Sequence, residues 1–232
     1  MNEHGFHWRI VAIGGLLIAV ALVVVLLNTR GRGKASPSED PPSHEIPRIE
    51  GLSALDPRLA KAVRKATSEI ERNRDEGDAF GRLGRVYHTH KYFGLARRCY
   101  ETARRLAPAK ADWPYYLGSL ATGRGQTEVA TDSFHQALRL EPDYLPTYLR
   151  LGNVLLADGR LEEAEEMYRE LVVRSPEGPW GYLGHAKVAR RRGRLQEAAD
   201  LLQESLSRAP EDREGAYLLA MTYRDLGRLS AA

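Results

Sequence analysis

The sequence predicts an all-α solenoid of stacked helix pairs, preceded by a single transmembrane helix and a disordered linker. Three observations carry this. Residues recur at a fixed spacing of 34 over the C-terminal two-thirds of the chain. Leu, Ala, Arg and Glu dominate there, while β-branched residues are sparse outside the first thirty positions. An uncharged apolar run stands near the N-terminus.

A short tail, residues 1–9, leads into that run. Ile10 to Leu27 is uncharged, and as a helix it would extend about 27 Å, close to the thickness of a bilayer's hydrocarbon core. Arg9 bounds it on one side and Arg30, Arg32 and Lys34 on the other, with Trp8 at the interfacial position. A cleaved signal peptide is the competing reading. The run is longer than the usual apolar core of one, and basic residues follow it at once, so an uncleaved anchor is expected. Gly15 and Ala19 form a small-xxx-small pair of the kind that brings spans together, although Gly- and Ala-containing spans produce such pairs by composition alone. The signals for sidedness conflict. The basic residues after the span favour a cytoplasmic domain, whereas a short leading tail before a large trailing domain favours export, and the extracytoplasmic (periplasmic) side is the expectation.

Residues 28–50 hold four prolines, mixed charge and few apolar side chains. Such a segment cannot bury enough surface to fold and reads as a tether, with a coil reach of roughly 25 to 30 Å. Next, over residues 51–76, Leu59, Val63, Ala66 and Ile70 are spaced as one apolar helical stripe after the start signal Leu55-Asp56-Pro57. This predicts an N-terminal capping helix covering the exposed side of the array.

The repeats follow. Pro108, Pro142, Pro176 and Pro210 are each 34 residues apart, as are Gly125, Gly159, Gly193 and Gly227. Ala96, Ala130, Ala164, Ala198 and Ala232 share the period, and so do Gly84, Gly118, Gly152, Ala186 and Ala220. The units are 77–110, 111–144, 145–178 and 179–212, with a partial fifth over 213–232. Small residues recur where two helices approach closely; Tyr100, Phe134 and Tyr168 recur where the gap is wider. The glycines fall between the helices of a pair and the prolines just after the second helix.

With Phe80, Leu83, Gly84, Tyr87, Ala96, Tyr100, Ala103 and Pro108 in the first unit, and Tyr148, Leu151, Gly152, Gly159, Ala164, Tyr168 and Pro176 in the third, the array resembles the tetratricopeptide repeat (TPR) family. The resemblance covers Gly77 to Ala232 and implies a TPR-like right-handed superhelix. Local departures are Lys91 in place of the first inter-helix glycine, Ala121 in place of an aromatic, and His185, Leu202 and Ser205 in the fourth unit. The fifth unit stops where its second helix should begin, so Leu219, Tyr223 and Leu226 are expected to lack a packing partner, as in a fragment or shortened product.

The resemblance also implies that the first helices line a concave face whose variable residues contact ligands. Those positions here are Arg82, Arg85 and His88; Tyr115, Tyr116 and Ser119; Arg150 and Asn153; Lys187, Arg190 and Arg191; and Tyr217, Met221 and Arg224. A face of this kind suits a protein or peptide segment with acidic groups, Arg supplying charge-assisted hydrogen bonds and Tyr contact area. The family's chaperone-tail clamp is not expected, because only Arg150 matches it, and Gly81, Arg85, Tyr116 and Pro146 stand at its other places. The expectation is a membrane-tethered interaction scaffold. A rival is an exported glycan or small-ligand binder stacking on Tyr115, Tyr116, Trp113 and Trp180, and a third is an assembly subunit of a larger membrane complex.

Other functions find no support. The first fifty residues are charge-balanced, and the net charge of +3 is not gathered into a nucleic-acid footprint. The single cysteine, Cys99, excludes a disulfide framework within the chain and multi-cysteine zinc sites. His88 and His90, two apart on a helix, diverge and lack a third ligand. No phosphate loop or hydrolase motif is present. No enzyme activity, cofactor or metal is expected.

Overall fold

The computed structural model describes residues 45–51 and 56–227. The tail, the anchor expected at Ile10 to Leu27 and most of the linker lie outside the described residues, as does the end of the fifth unit. No described helix is long and apolar enough to cross a membrane.

Ten helices and no strands make up the described residues: α1 Pro57–Arg72, α2 Gly77–Thr89, α3 Phe93–Leu106, α4 Asp112–Thr122, α5 Thr127–Leu140, α6 Leu145–Asp158, α7 Leu161–Arg174, α8 Pro179–Arg191, α9 Leu195–Arg208 and α10 Arg213–Asp225. They pair as α2/α3, α4/α5, α6/α7 and α8/α9, each pair packing on the next, with α1 before the first and α10 after the last. The four period-setting prolines each fall two residues past the end of a second helix. There they deny the chain the amide that continuation would need.

The first and last described helices are N-capped by side chains. The Asp56 carboxylate accepts from the backbone N–H of Arg58 at 2.7 Å and Leu59 at 3.3 Å, and Pro57 occupies the first helical position, where its missing N–H costs nothing. At the other end Asp212 caps α10 in the same way, accepting from Glu214 and Gly215. Leu59, Val63, Ala66 and Ile70 are all buried, so α1 lays its one apolar stripe on the first pair.

Inside each pair the first helix crosses its partner at a small residue. A Cβ on Gly84 would sit 2.6 Å from the Tyr100 ring, one on Gly118 2.9 Å from the Phe134 ring, and one on Gly152 2.8 Å from the Tyr168 ring. In the fourth pair the equivalent residues are Ala186 and Leu202, both fully buried. The ring has shrunk and the small residue has grown by a methyl. Between the helices of the pairs, Gly125, Gly159 and Gly193 have φ of +68°, +82° and +72°. Lys91 takes the same left-handed backbone with φ 64°, so the first pair keeps the turn geometry without the glycine.

Two expectations are modified. The stretch Glu45–Glu50, assigned by composition to the free linker, packs on the first repeat. Ile46 and Pro47 are buried, the Tyr87 hydroxyl donates to the Pro47 carbonyl at 2.7 Å, and ion pairs join Arg98 to Glu45 (3.1 Å) and Arg48 to Glu71 (3.3 Å). Ile46 and Ile49 supply the apolar surface that the rest of the linker lacks. In the fifth unit, Leu219 packs partly against the cluster of Leu183, Ala186 and Leu202, and the Tyr223 hydroxyl accepts from the Gln203 side chain at 2.6 Å. Neither is without a partner.

Candidate functional site

The face formed by the first helices holds an aromatic platform in its N-terminal half. Tyr116 stacks on Tyr100 at 5.0 Å and 12°; Tyr115 meets Tyr116 edge-on at 5.4 Å and Tyr144 at 5.2 Å. Tyr115 also leans on Phe134, and the His88 ring lies against Tyr100, its Nδ1 3.4 Å from the Tyr100 hydroxyl. Tyr115, Tyr116 and Tyr144 remain half-buried, with ring surface available to a partner. Burial, aided by the neighbouring Tyr115 and Tyr116, pushes the Tyr144 phenol up to about 12. His88 is held below the ordinary histidine value, first by burial and then by the positive charge of Arg150, so it is neutral near pH 7.

The basic residues expected on this face divide into two groups. Arg82 donates to Glu69 at 2.7 Å and Glu76 at 2.9 Å, joining α1 to α2. Lys187 pairs with Glu214 at 2.7 Å, Arg190 with Asp225 at 2.9 Å and Arg224 with Asp225 at 3.2 Å. These four are engaged within the array. Arg85, Arg150 and Arg191 are exposed and make no ion pair among the described residues. The Arg85 guanidinium lies 5.9 Å from the Tyr116 ring centroid. Asn153 accepts from the Tyr168 hydroxyl at 2.8 Å, and Tyr217 stands 63% exposed on α10. Lys187, Arg190 and Arg191 line a pocket of about 430 Å³ together with Leu156, Glu214 and Leu218.

Sequence reasoning did not place a second pocket. An almost wholly apolar hollow of about 280 Å³ lies between the third and fourth units, lined by Pro146, Leu149, Leu171, Trp180 and neighbours. Pro146, Arg150 and Asn153 are spaced four and three apart on α6, and Trp180, Lys187 and Arg191 seven and four apart on α8, so Pro146 and Trp180 of the hollow stand on the helix faces that carry the expected cations. Trp180, half exposed at its edge, was the available signal: it stood only among the stacking residues of the rival glycan reading.

A charged hub lies at the junction of α7, α8 and α9. The buried Glu165 carboxylate is within 3.1 Å of His185 Nε2 and pairs with Arg169 at 2.8 Å, Arg192 at 3.0 Å and Arg194 at 3.0 Å. Burial alone would raise its carboxyl, but hydrogen bonds from Arg194 and His185 and the charges of Arg169 and Arg194 outweigh that and hold it below the usual carboxylate range. Ligand atoms of Glu165, His185 and Glu197 lie within 4.8 Å of one another. Three guanidinium groups already neutralise Glu165, the opposite of what a divalent cation needs. The hub is therefore a staple between the third and fourth units.

Stacked helix pairs with an open, residue-variable first-helix face define a helical-repeat protein of the solenoid class. Residues 121–179 and 183–232 match family models for the tetratricopeptide repeat, so these residues carry tetratricopeptide repeats. No curated protein matches the sequence. Among solved structures the chain is similar to MamA, at 20% identity and a TM-score of 0.61 over 67% of this chain and 91% of that one. It is also similar to YrrB, a TPR protein with an unusual peptide-binding site, at 18% identity and 0.59 over 69% and 82%. A tetratricopeptide repeat protein from Parabacteroides merdae aligns at 19% identity and 0.64 over 73% and 68%. At these identities the likeness is one of fold.

Proposed function

We propose that this chain is a membrane-tethered interaction scaffold that binds an acidic segment of a partner protein along the first-helix face and performs no catalysis. The observation that carries this reading is the pair of exposed guanidinium groups at Arg85 and Arg150, neither in an ion pair among the described residues, Arg85 lying 5.9 Å from the Tyr116 ring and Arg150 bringing its charge to His88 at the edge of the aromatic platform. An exposed Arg next to an aromatic platform offers a carboxylate charge-assisted hydrogen bonds and gives the adjoining backbone a flat surface to cover. YrrB, a TPR protein with an unusual peptide-binding site, has the same fold, so peptide binding is compatible with this architecture. Tethering rests on the apolar run Ile10 to Leu27 and its flanking charges, and we place the array on the extracytoplasmic side.

Salt and charge reversal test the groove. Capture of an acidic peptide by the full chain should weaken steeply as ionic strength rises and fall about a hundredfold in an Arg85→Glu, Arg150→Glu double variant. Salt-insensitive binding to a glycan, unaffected by that variant, would overturn it in favour of the stacking reading. Sidedness is tested by a cysteine at Ser38 and a membrane-impermeant thiol reagent in intact cells: labelling supports export, and protection until lysis overturns it.

A further inference from the structure

We infer that the hollow between the third and fourth units is an anchor pocket for one bulky apolar side chain of the bound segment, Leu, Met or Phe in kind, with a carboxylate nearby on its groove side. This deepens the groove reading and rests on it.

The pocket measures about 280 Å³, at the lower edge of what small-molecule sites use, which suits one inserted side chain better than a whole ligand. Its walls are mostly hydrocarbon, with Ser175 among them. Pro146 and Leu149 come from the first turns of α6, Leu171 from the last turns of α7, and Trp180 from the start of α8. Leu171 is buried at the pocket's edge while Trp180 is 50% exposed. An inserted side chain would cover much of that indole, and burial of an aromatic at the centre of a contact is where binding energy concentrates.

Charge chooses the flanks. Arg150 lies one helical turn from Pro146 on the same face, exposed and unpaired. On the turn side exposed Glu177, between the lining residues Ser175 and Gly178, is met by Arg208, which donates to the Pro176 carbonyl at 2.7 Å and feels the charge of Glu177. With that margin's charges already matched, a carboxylate beside the anchor is drawn to the groove side. The Lys187 and Arg190 cations further along are already paired with Glu214 and Asp225, and exposed Arg191 lies about three helical turns along α8 from Trp180, so Arg150, one turn from Pro146, is the cation this anchor meets.

The test uses the full chain and peptides selected on it from a random display library. Of the three tryptophans Trp8, Trp113 and Trp180, Trp113 is buried, so a Trp8→Phe background makes emission changes report chiefly on Trp180. The expected peptides carry a bulky apolar residue next to Asp or Glu and shift the emission to the blue. Their affinity falls at least about tenfold in Trp180→Ala and in Pro146→Glu, two exposed sites whose change spares the core. Peptides that lose affinity in Arg85→Glu, Arg150→Glu, yet bind Trp180→Ala and Pro146→Glu like the parent without an emission shift, would overturn the pocket and leave the groove standing. Peptides indifferent to both sets of changes would overturn the groove reading as well.

Discussion

Gly152 and Tyr168 fit together as a matched pair: the bare Cα of one accepts the ring of the other, and a Cβ there would sit 2.8 Å from a ring carbon. Tyr168 also lies over Gly184 of the next unit, so its ring is wedged between two glycines. Gly152→Ala, which in an open helix stabilises by about 1 kcal/mol, is expected instead to destabilise by about 1–3 kcal/mol through overpacking. Adding Tyr168→Leu, the combination found as Ala186 and Leu202, should recover part of that loss. Denaturant titration of the two single variants and the double variant checks the coupling.

Lys91 holds a left-handed backbone at φ 64°, a conformation that costs a side-chain-bearing residue about 1 kcal/mol and glycine almost nothing. Lys91→Gly is therefore expected to stabilise the first pair by roughly 0.5–1 kcal/mol, seen as a small rise in Tm.

Glu165 gives stability a pH dependence. Its carboxyl is lowered in the folded chain, so the stabilisation it provides is full above the unfolded glutamate value and is lost as pH falls through the folded one. Unfolding midpoints should drop on acidification below about pH 5, and this part of the drop should vanish in Glu165→Gln. The variant itself should cost about 2–3 kcal/mol. Its orphaned arginines are partly exposed and can turn to water, which keeps the loss at the lower end for a buried pair.

Cys99 is fully buried, and burial pushes its thiol up to about 12. The folded array should resist thiol reagents at pH 8 and react on denaturation. Native labelling at a rate near that of a free thiol would show that the α2/α3 pair opens readily.

The tetratricopeptide pattern exposed most of the fold, because each period residue answers a backbone or packing demand that repeats with the geometry. The five first helices begin within a residue of the expected unit starts, and the Asp56-Pro57 signal located α1. The site was less legible. Tyr115, Tyr116, Arg85 and Arg150 were named from the positions that the tetratricopeptide resemblance assigns to the concave face, but nothing in that register says that Arg82, Lys187 and Arg190 are tied to Glu69, Glu214 and Asp225, since those acids lie 13, 27 and 35 residues away along the chain. The apolar pocket draws its lining from the ends of α6, α7 and α8, a juxtaposition that a linear pattern does not encode. The packing of Ile46 on the first repeat was hidden by the prolines and charges around it.

That short docked stretch also decides how the array responds to being pulled. Tension arriving through residue 44 meets the Arg98–Glu45 pair, the buried Ile46 and the hydrogen bond from Tyr87 to Pro47 before it reaches the Asp56 cap of α1. Those contacts act as a strain relief. Force is shared among α2, α3 and, through the Arg48–Glu71 pair, the far end of α1, so the load does not fall first on the Asp56 cap.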